Sequence, residues 1–137
     1  MNNKYDLSDR KIKEVMSTPP SYINKDATIE ELVEKFKEEH FHAFPVCDEG
    51  KLVGVVTKAD LVESIGGKKK MSDFFASHVV DLMTQNPTSL SPEIHISEAL
   101  DKMMSQDIRF LPVTDEENKV VGVVSYSDIA GEIAKRE

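Results

Sequence analysis

Apolar residues recur along this chain with two different spacings, and the spacings alternate. Ile29, Leu32, Val33 and Phe36 fall three and four positions apart, the mark of a helix with one apolar face. The runs "AFPVCD" and "KLVGVVT" follow, short and apolar, separated by Asp, Glu and Gly, and they predict two strands joined by a turn. The same succession then returns. Ile96, Ala99, Leu100, Met103 and Met104 keep helical spacing, and "FLPVTD" and "KVVGVVS" predict two more strands around a turn of Asp, Glu and Asn. A short extended piece after a proline precedes each helix: "SYIN", Ser21 to Asn24, and "TSLS", Thr88 to Ser91. A further helix is expected after each valine-rich strand, starting at Lys58 and at Tyr126. The predicted order is β-α-β-β-α, twice. The valine runs read as strands covered on both faces. Thr28 with Glu31 forms a capping box at the first helix start, and His95 stands at the matching place as a weaker cap.

The doubling extends to individual residues. Shifted by 67 positions, Met16 falls on Met83, Pro20 on Pro87, Ile29 on Ile96 and Glu31 on Glu98. Pro45, Val46 and Asp48 fall on Pro112, Val113 and Asp115. One extra residue enters the second copy near Asn118, after which "VGVV" lies on "VGVV" and Asp60 on Asp128. Two copies are too few for a solenoid. Half-domains of this size are marginal alone, and packing the two sheets together resolves that. The expected fold is therefore mixed α/β (α+β), two pseudo-symmetric β-α-β-β-α repeats packed sheet to sheet. Its parts are a leader over 1–15 with a helix from Tyr5 to Val15 capped by Ser8, repeat 1 over 12–65, a linker over 66–79, and repeat 2 over 80–135. The linker contains "GGKKK", Gly66 to Lys70, read as a flexible, solvated loop.

Composition narrows the function classes. The chain has 137 residues, a net charge of −8 and a single cysteine, Cys47. That charge argues against a broad grip on nucleic acid, although a local site for one small anion remains open to it. One cysteine gives neither a disulfide framework nor a metal-type pair. No apolar stretch is long enough to cross a membrane, and "MNNKYDLSDRK" lacks the apolar core of a signal peptide. The expectation is a soluble cytoplasmic protein.

Both copies end on one chemical phrase: Gly-Val-Val, then Thr57-x-x-Asp60 or Ser125-x-x-Asp128. A hydroxyl and an acid three residues later at a helix start is also a plain capping box. Two features point further. A helix N-terminus offers unpaired N–H groups and a positive dipole end, a seat for phosphate. A carboxylate one turn in suits the two hydroxyls of a ribose, each charge-assisted bond contributing roughly 1.5–3 kcal/mol. Ribose plus phosphate means a nucleotide.

On these marks the chain resembles a tandem pair of CBS domains. The starts "VMSTPPSYI" and "LMTQNPTSL", the middles "FPV" and "LPV", and the two Gly-Val-Val-Thr/Ser-x-x-Asp endings carry the likeness over about residues 12–135. The resemblance implies a sensor of adenosine-containing ligands, AMP, ADP, ATP or S-adenosylmethionine, held in two clefts between the repeats. It implies one cleft with Ser17, Ser21, Ile23, Phe41 and His42 beside Ser125, Tyr126 and Asp128. It implies a second with Thr84, Thr88, Leu90, Ile108 and Arg109 beside Thr57, Lys58 and Asp60. Small Ser21 and Thr88 would let adenine approach the backbone. The second set gathers Lys58 and Arg109 and should favour phosphorylated ligands. The first offers Tyr126 and His42, and histidine is charged only in part at neutral pH. The resemblance also implies a flat homodimer and an unidentified regulated partner. Apolar helix residues Leu61, Ile65, Ile129 and Ile133 are the expected dimer face.

No catalytic residue, catalytic cofactor or metal site is expected. There is no Ser-His-Asp spacing and no Walker-type loop, and His40 with His42 lacks a third ligand. Cys47 is expected in the core, and His78 and His95 in solvent. The competing classes are an interaction or dimerisation module that retains the fold without a ligand, and an enzyme acting on the bound nucleotide.

Overall fold

The computed structural model of the chain describes residues 9–66 and 70–134. It divides into two compact units. One is Ser21–Pro87; the other takes the segment ending at Pro20 together with the chain from Thr88 onward. The units therefore do not coincide with the sequence copies. The piece that opens each copy, "VMSTPP" or "LMTQNP", belongs to the unit that holds the strands and helices of the other copy.

The Ser21–Pro87 unit contains β1 (Ile23–Asn24), α1 (Ile29–Glu39), β2 (Ala43–Asp48), β3 (Lys51–Thr57), α2 (Lys58–Ile65), α3 (Met71–Ala76) and β4 (Thr84–Gln85). Its sheet runs β1-β2-β3-β4, with β1 parallel to β2 and the other neighbours antiparallel. The other unit contains α4 (Ile96–Ser105), β5 (Phe110–Thr114), β6 (Val120–Ser125) and α5 (Tyr126–Ala134). There β5 pairs antiparallel with β6. Single-residue pairings of Leu90 with Val113 and of Ser17 with Val123 take the outer places that β1 and β4 hold in the first unit. The mixed α+β expectation is met, and so is the β-α-β-β-α succession of the first copy; in the second copy the opening strand expected over residues 88–91 is reduced to the single pairing of Leu90 with Val113.

Each unit has its own core. Ile29, Leu32, Phe36, Phe44, Val46, Val56, Phe74 and Val79 pack together in one. Ile12, Leu90, Ile96, Ala99, Met103, Leu111, Val113, Val124 and Ile129 pack together in the other. The rings of Phe36 and Phe44 lie 5.0 Å apart. Burying each such side chain contributes about 1.5–3 kcal/mol. Cys47 is buried as expected, and burial pushes its thiol up to about 11.

The hairpin turns explain how the repeat survives its one-residue insertion. Glu49 and Gly50 form a two-residue loop with φ of 53° and 83°, the twist that suits a tight hairpin. In the second copy the loop is longer and Asp115 ties it together, its Oδ1 accepting the Glu117 and Lys119 N–H groups at 2.9 and 3.0 Å. Asn118, at φ 65°, takes the left-handed position. The extra residue stays in the loop, so β5 and β6 keep the phase of β2 and β3.

Three expectations change. The helix from Tyr5 to Val15 starts, with its Ser8 cap, outside the described residues. From residue 9 onward the segment forms only one 3-10 turn, Ile12–Glu14. Its backbone is committed sideways: Ile12 N–H donates to Ile94 O at 2.9 Å, and Arg10 O accepts from Ile96 N–H at 2.8 Å. Lys68 and Lys69 also lie outside the described residues, but the span read as a loop contains α3, which buries Phe74. Apolar packing of that one ring outweighs the polar composition around it. The segment after α3 then pairs with the start of α1, Ser77 O accepting from Ile29 N–H at 2.8 Å. Finally, the valine strands are not covered equally on both faces. In β3, Leu52, Gly54 and Val56 are buried while Val53 and Val55 are half-buried, the alternation of an antiparallel sheet.

Candidate functional site

The Gly-Val-Val run is built by close backbone approach. A Cβ on Gly54 would lie 2.5 Å from Met83 Sδ and 2.9 Å from Thr84 O. A Cβ on Gly122 would lie 2.6 Å from Met16 Sδ and 3.2 Å from Ser17 O. At Gly54 the backbone of Thr84 itself is too near for a Cβ, and at Gly122 a Cβ would have to displace the Met16 side chain and press on Ser17 O, so glycine suits the close approach at both places. The backbone then sets Thr84 opposite Val55 and Ser17 opposite Val123, two residues before Thr57 and Ser125. The glycine thus brings a second hydroxyl residue beside each strand-to-helix junction.

At the first junction Thr57 ends β3 and caps α2. Its Oγ1 accepts the Asp60 N–H at 3.0 Å, and its N–H donates to Asp60 Oδ2 at 2.9 Å. At the second, Ser125 caps α5. Its Oγ accepts the Asp128 N–H at 3.3 Å and donates to Asp128 Oδ2 at 3.1 Å, while its N–H donates to the same oxygen at 2.8 Å. The capping reading is therefore realised in full at both places. The junctions differ in two contacts to the carboxylate: Ser125 Oγ donates to Asp128 Oδ2 where Thr57 Oγ1 makes no such bond, and Ser17 Oγ donates to Asp128 Oδ1 at 2.7 Å. Among the described residues Asp60 accepts only from Thr57, and Thr84 makes no bond to it.

The start of the preceding strand abuts each helix start. His42 O accepts the Lys58 N–H at 3.0 Å, and Arg109 O accepts the Tyr126 N–H at 3.1 Å. Lys58 Nζ lies 5.8 Å from the Phe36 ring centroid, within cation–π range. Phe41 and Tyr126 are 48% and 41% exposed, and His42 and Arg109 are exposed. The Ser21–Pro87 unit thus holds Ser21, Ile23, Phe41, His42, Thr57, Lys58, Asp60 and Thr84 of the expected ligand residues. The other unit holds Ser17, Thr88, Leu90, Ile108, Arg109, Ser125, Tyr126 and Asp128. Ile23 and Leu90 are core side chains, 7% and 1% exposed, so only their backbone could meet a ligand.

Sequence reasoning missed the partners of the two small residues. Ser21 Oγ donates to the Glu39 carboxylate, and Thr88 Oγ1 donates to Gln106 Oε1 at 2.8 Å. The signal was in the sequence: both pairs are 18 positions apart and the helix-end residues obey the shift of 67. Burial would raise the Glu39 carboxyl, but the bonds from Lys35 and Ser21 outweigh it and hold the group below its ordinary value. Glu39 also lines a groove of about 410 Å³ with Tyr22, Glu31, Glu34, Lys35 and Glu38. Four carboxylates against one ammonium make that groove unsuited to phosphate. Among the described residues, no three of His, Cys, Asp and Glu come together as a metal site would need. Among them, too, no helix is long and apolar enough to cross a membrane.

Two repeats of one α+β build, each closing on a glycine-led strand and a hydroxyl-x-x-Asp helix cap, define a tandem-repeat module. The chain belongs to the CBS domain family, whose model matches residues 12–67 and 79–135. It is 34% identical over 123 residues to the YlbB protein of Bacillus subtilis (strain 168), covering 88% of this chain and 80% of that protein. It is 32% identical over 125 residues to the homoserine O-acetyltransferase of Methanohalobium evestigatum. That match covers 90% of this chain but 24% of the enzyme. Among solved structures, the CBS domain pair of protein MJ0100, in complex with 5′-methylthioadenosine and S-adenosyl-L-methionine, superposes with a TM-score of 0.78 at 26% identity. It covers 90% of this chain and 95% of that one. This chain spans about a quarter of the length of the acetyltransferase it matches.

Proposed function

We propose that this chain is a regulatory module that binds adenosine-containing ligands and catalyses no reaction of its own. One observation carries the reading. Both helix caps present a carboxylate of which one oxygen is held by the cap, beside a cap hydroxyl and the positive dipole end of a helix start. That set matches the diol and phosphate of a nucleotide. The MJ0100 pair, similar over nearly its whole length, was solved with two adenosine compounds, which supports the same ligand class here. AMP, ADP, ATP and S-adenosylmethionine are the candidates. Binding shifts the module between conformations that a regulated partner reads.

The reading includes pairing of two copies. Of the expected face, Ile129 is 5% exposed and belongs to its own unit's core, and Leu61 is half-buried. Val62, Ile65, Tyr126 and Ile133, 39–66% exposed on α2 and α5, are the apolar residues left to contribute. Light scattering tests this: a mass of 15.4 kDa at micromolar concentration argues against pairing.

A second reading has its own support. The complete capping boxes need no ligand to explain them, and a ligand-free interaction module would keep them. Thermal melting separates the two. A ligand at 100 times its dissociation constant adds about 2.7 kcal/mol, a shift of a few degrees for a chain of this size. Melting points unmoved by all four adenosine ligands favour the interaction module.

A further inference from the structure

A carboxylate can accept about four hydrogen bonds. Asp128 already accepts three, from Ser125 N, Ser125 Oγ and Ser17 Oγ at 2.8, 3.1 and 2.7 Å. Asp60 accepts one among the described residues, from Thr57 N at 2.9 Å. Asp60 can therefore take both hydroxyls of a ribose with its cap intact, whereas Asp128 has room for only one. The difference does not come from the backbone. Ser17 and Thr84 sit in the same register against Val123 and Val55. It comes from the side chains: the Ser125 hydroxyl donates to Asp128 Oδ2 within the cap, and the Ser17 hydroxyl takes Oδ1, the oxygen the cap leaves open, where the Thr84 hydroxyl makes no such bond.

We propose that Ser17 is an internal competitor for the Asp128 carboxylate, so that the two junctions bind a ribose diol with unequal strength and the Asp60 junction fills first. This rests on the adenosine-ligand reading above and assigns Ser17 a role opposed to ligand binding. The contact has the strength to matter. At 2.7 Å with an ionised acceptor it is of the short, charge-assisted kind. A diol that takes over Oδ1 must first displace it. Ser17 is itself anchored, its N–H donating to Val123 O at 2.8 Å and its O accepting from Val123 N–H at 3.2 Å. The backbone therefore stays in place while the hydroxyl turns away.

Calorimetric titration with adenosine tests the proposal, because adenosine has no phosphate for Ser17 to contact. The wild type should show two classes of site, and Asp60→Ala should remove the tighter one. Ser17→Ala should tighten the weaker class by about three- to tenfold, the worth of one net hydrogen bond, and leave the tighter class unchanged. Ser17→Thr, which keeps the hydroxyl, should retain the weak affinity. With 2′-deoxyadenosine, which has no diol, Ser17→Ala should give a smaller gain. Two classes of site with Ser17→Ala unchanged, or weaker for adenosine, overturn the proposal and leave the ligand reading standing. No adenosine binding by the wild type overturns both.

Discussion

Replacing the two aspartates should cost unequal stability even without ligand. Asp60→Ala removes one accepted bond, from Thr57 N at 2.9 Å, and a negative charge in the first turn of α2. A net hydrogen bond is worth about 0.5–1.5 kcal/mol, and the charge at a helix N-terminus about 0.3–1 kcal/mol. The expected loss is about 1–2 kcal/mol, within the range for losing an N-terminal cap. Asp128→Ala removes the same terms and also the Ser17 Oγ bond at 2.7 Å and the Ser125 Oγ bond at 3.1 Å. Both aspartates are half-buried, so water repairs part of each loss. The Ser17 bond alone still sets a difference of about 1 kcal/mol. Urea denaturation of the full chain, followed by far-UV circular dichroism, resolves a difference of that size when the slopes are unchanged. A double-mutant cycle of Ser17→Ala with Asp128→Ala isolates the bond, and a coupling of about 1 kcal/mol is expected. Equal losses for the two aspartates, with zero coupling, refute the hydrogen-bond assignment.

Other consequences are as specific. Gly54→Ala should destabilise by about 1–3 kcal/mol, since its Cβ meets backbone Thr84 O at 2.9 Å as well as the yielding Met83 side chain; a neutral change in urea midpoint contradicts the close approach. Burial raises the Cys47 thiol from 9.0 to about 11, so the neutral form belongs to the folded state. The stability tied to that neutral thiol is complete below pH 9 and declines as pH rises from 9 toward 11. Cys47→Ala should flatten that decline, and a thiol reagent at pH 8 should react only as the chain unfolds. Arg109→Ala should weaken AMP by about 1.5–3 kcal/mol at one of two sites and leave adenosine unaffected. Titration of both ligands checks this, and two unchanged AMP sites contradict a phosphate role for Arg109.

The strands and second helices were legible because valine runs, turn residues and hydroxyl caps are local signals, and β2 and β3 match "AFPVCD" and "KLVGVVT" to the residue. The helices at Lys58 and Tyr126 start where their caps place them. What failed was non-local. Residues 9–15 carry polar, helix-tolerant composition, but their N–H and C=O groups are claimed by residues 92–96, distant in sequence. α3 was hidden because one buried ring, Phe74, decides it. The exchange of opening segments between copies was illegible for the same reason: it depends on Met16 and Met83 lying against glycines far along the chain. The junction residues were found, since spacing and chemistry coincide there. Glu39 and Gln106 were not, because a helix-end polar residue looks like any other until Ser21 or Thr88 is seen to donate to it.

The central claim is that the carboxylates of Asp60 and Asp128 hold adenosine ligands. Calorimetry with AMP and S-adenosylmethionine on the wild type, Asp60→Ala, Asp128→Ala and the double variant tests it most directly. Two sites in the wild type, one in each single variant and none in the double variant, with all four folded by circular dichroism, is the predicted result. A wild type that binds neither ligand, or a double variant that binds as the wild type does, contradicts the account.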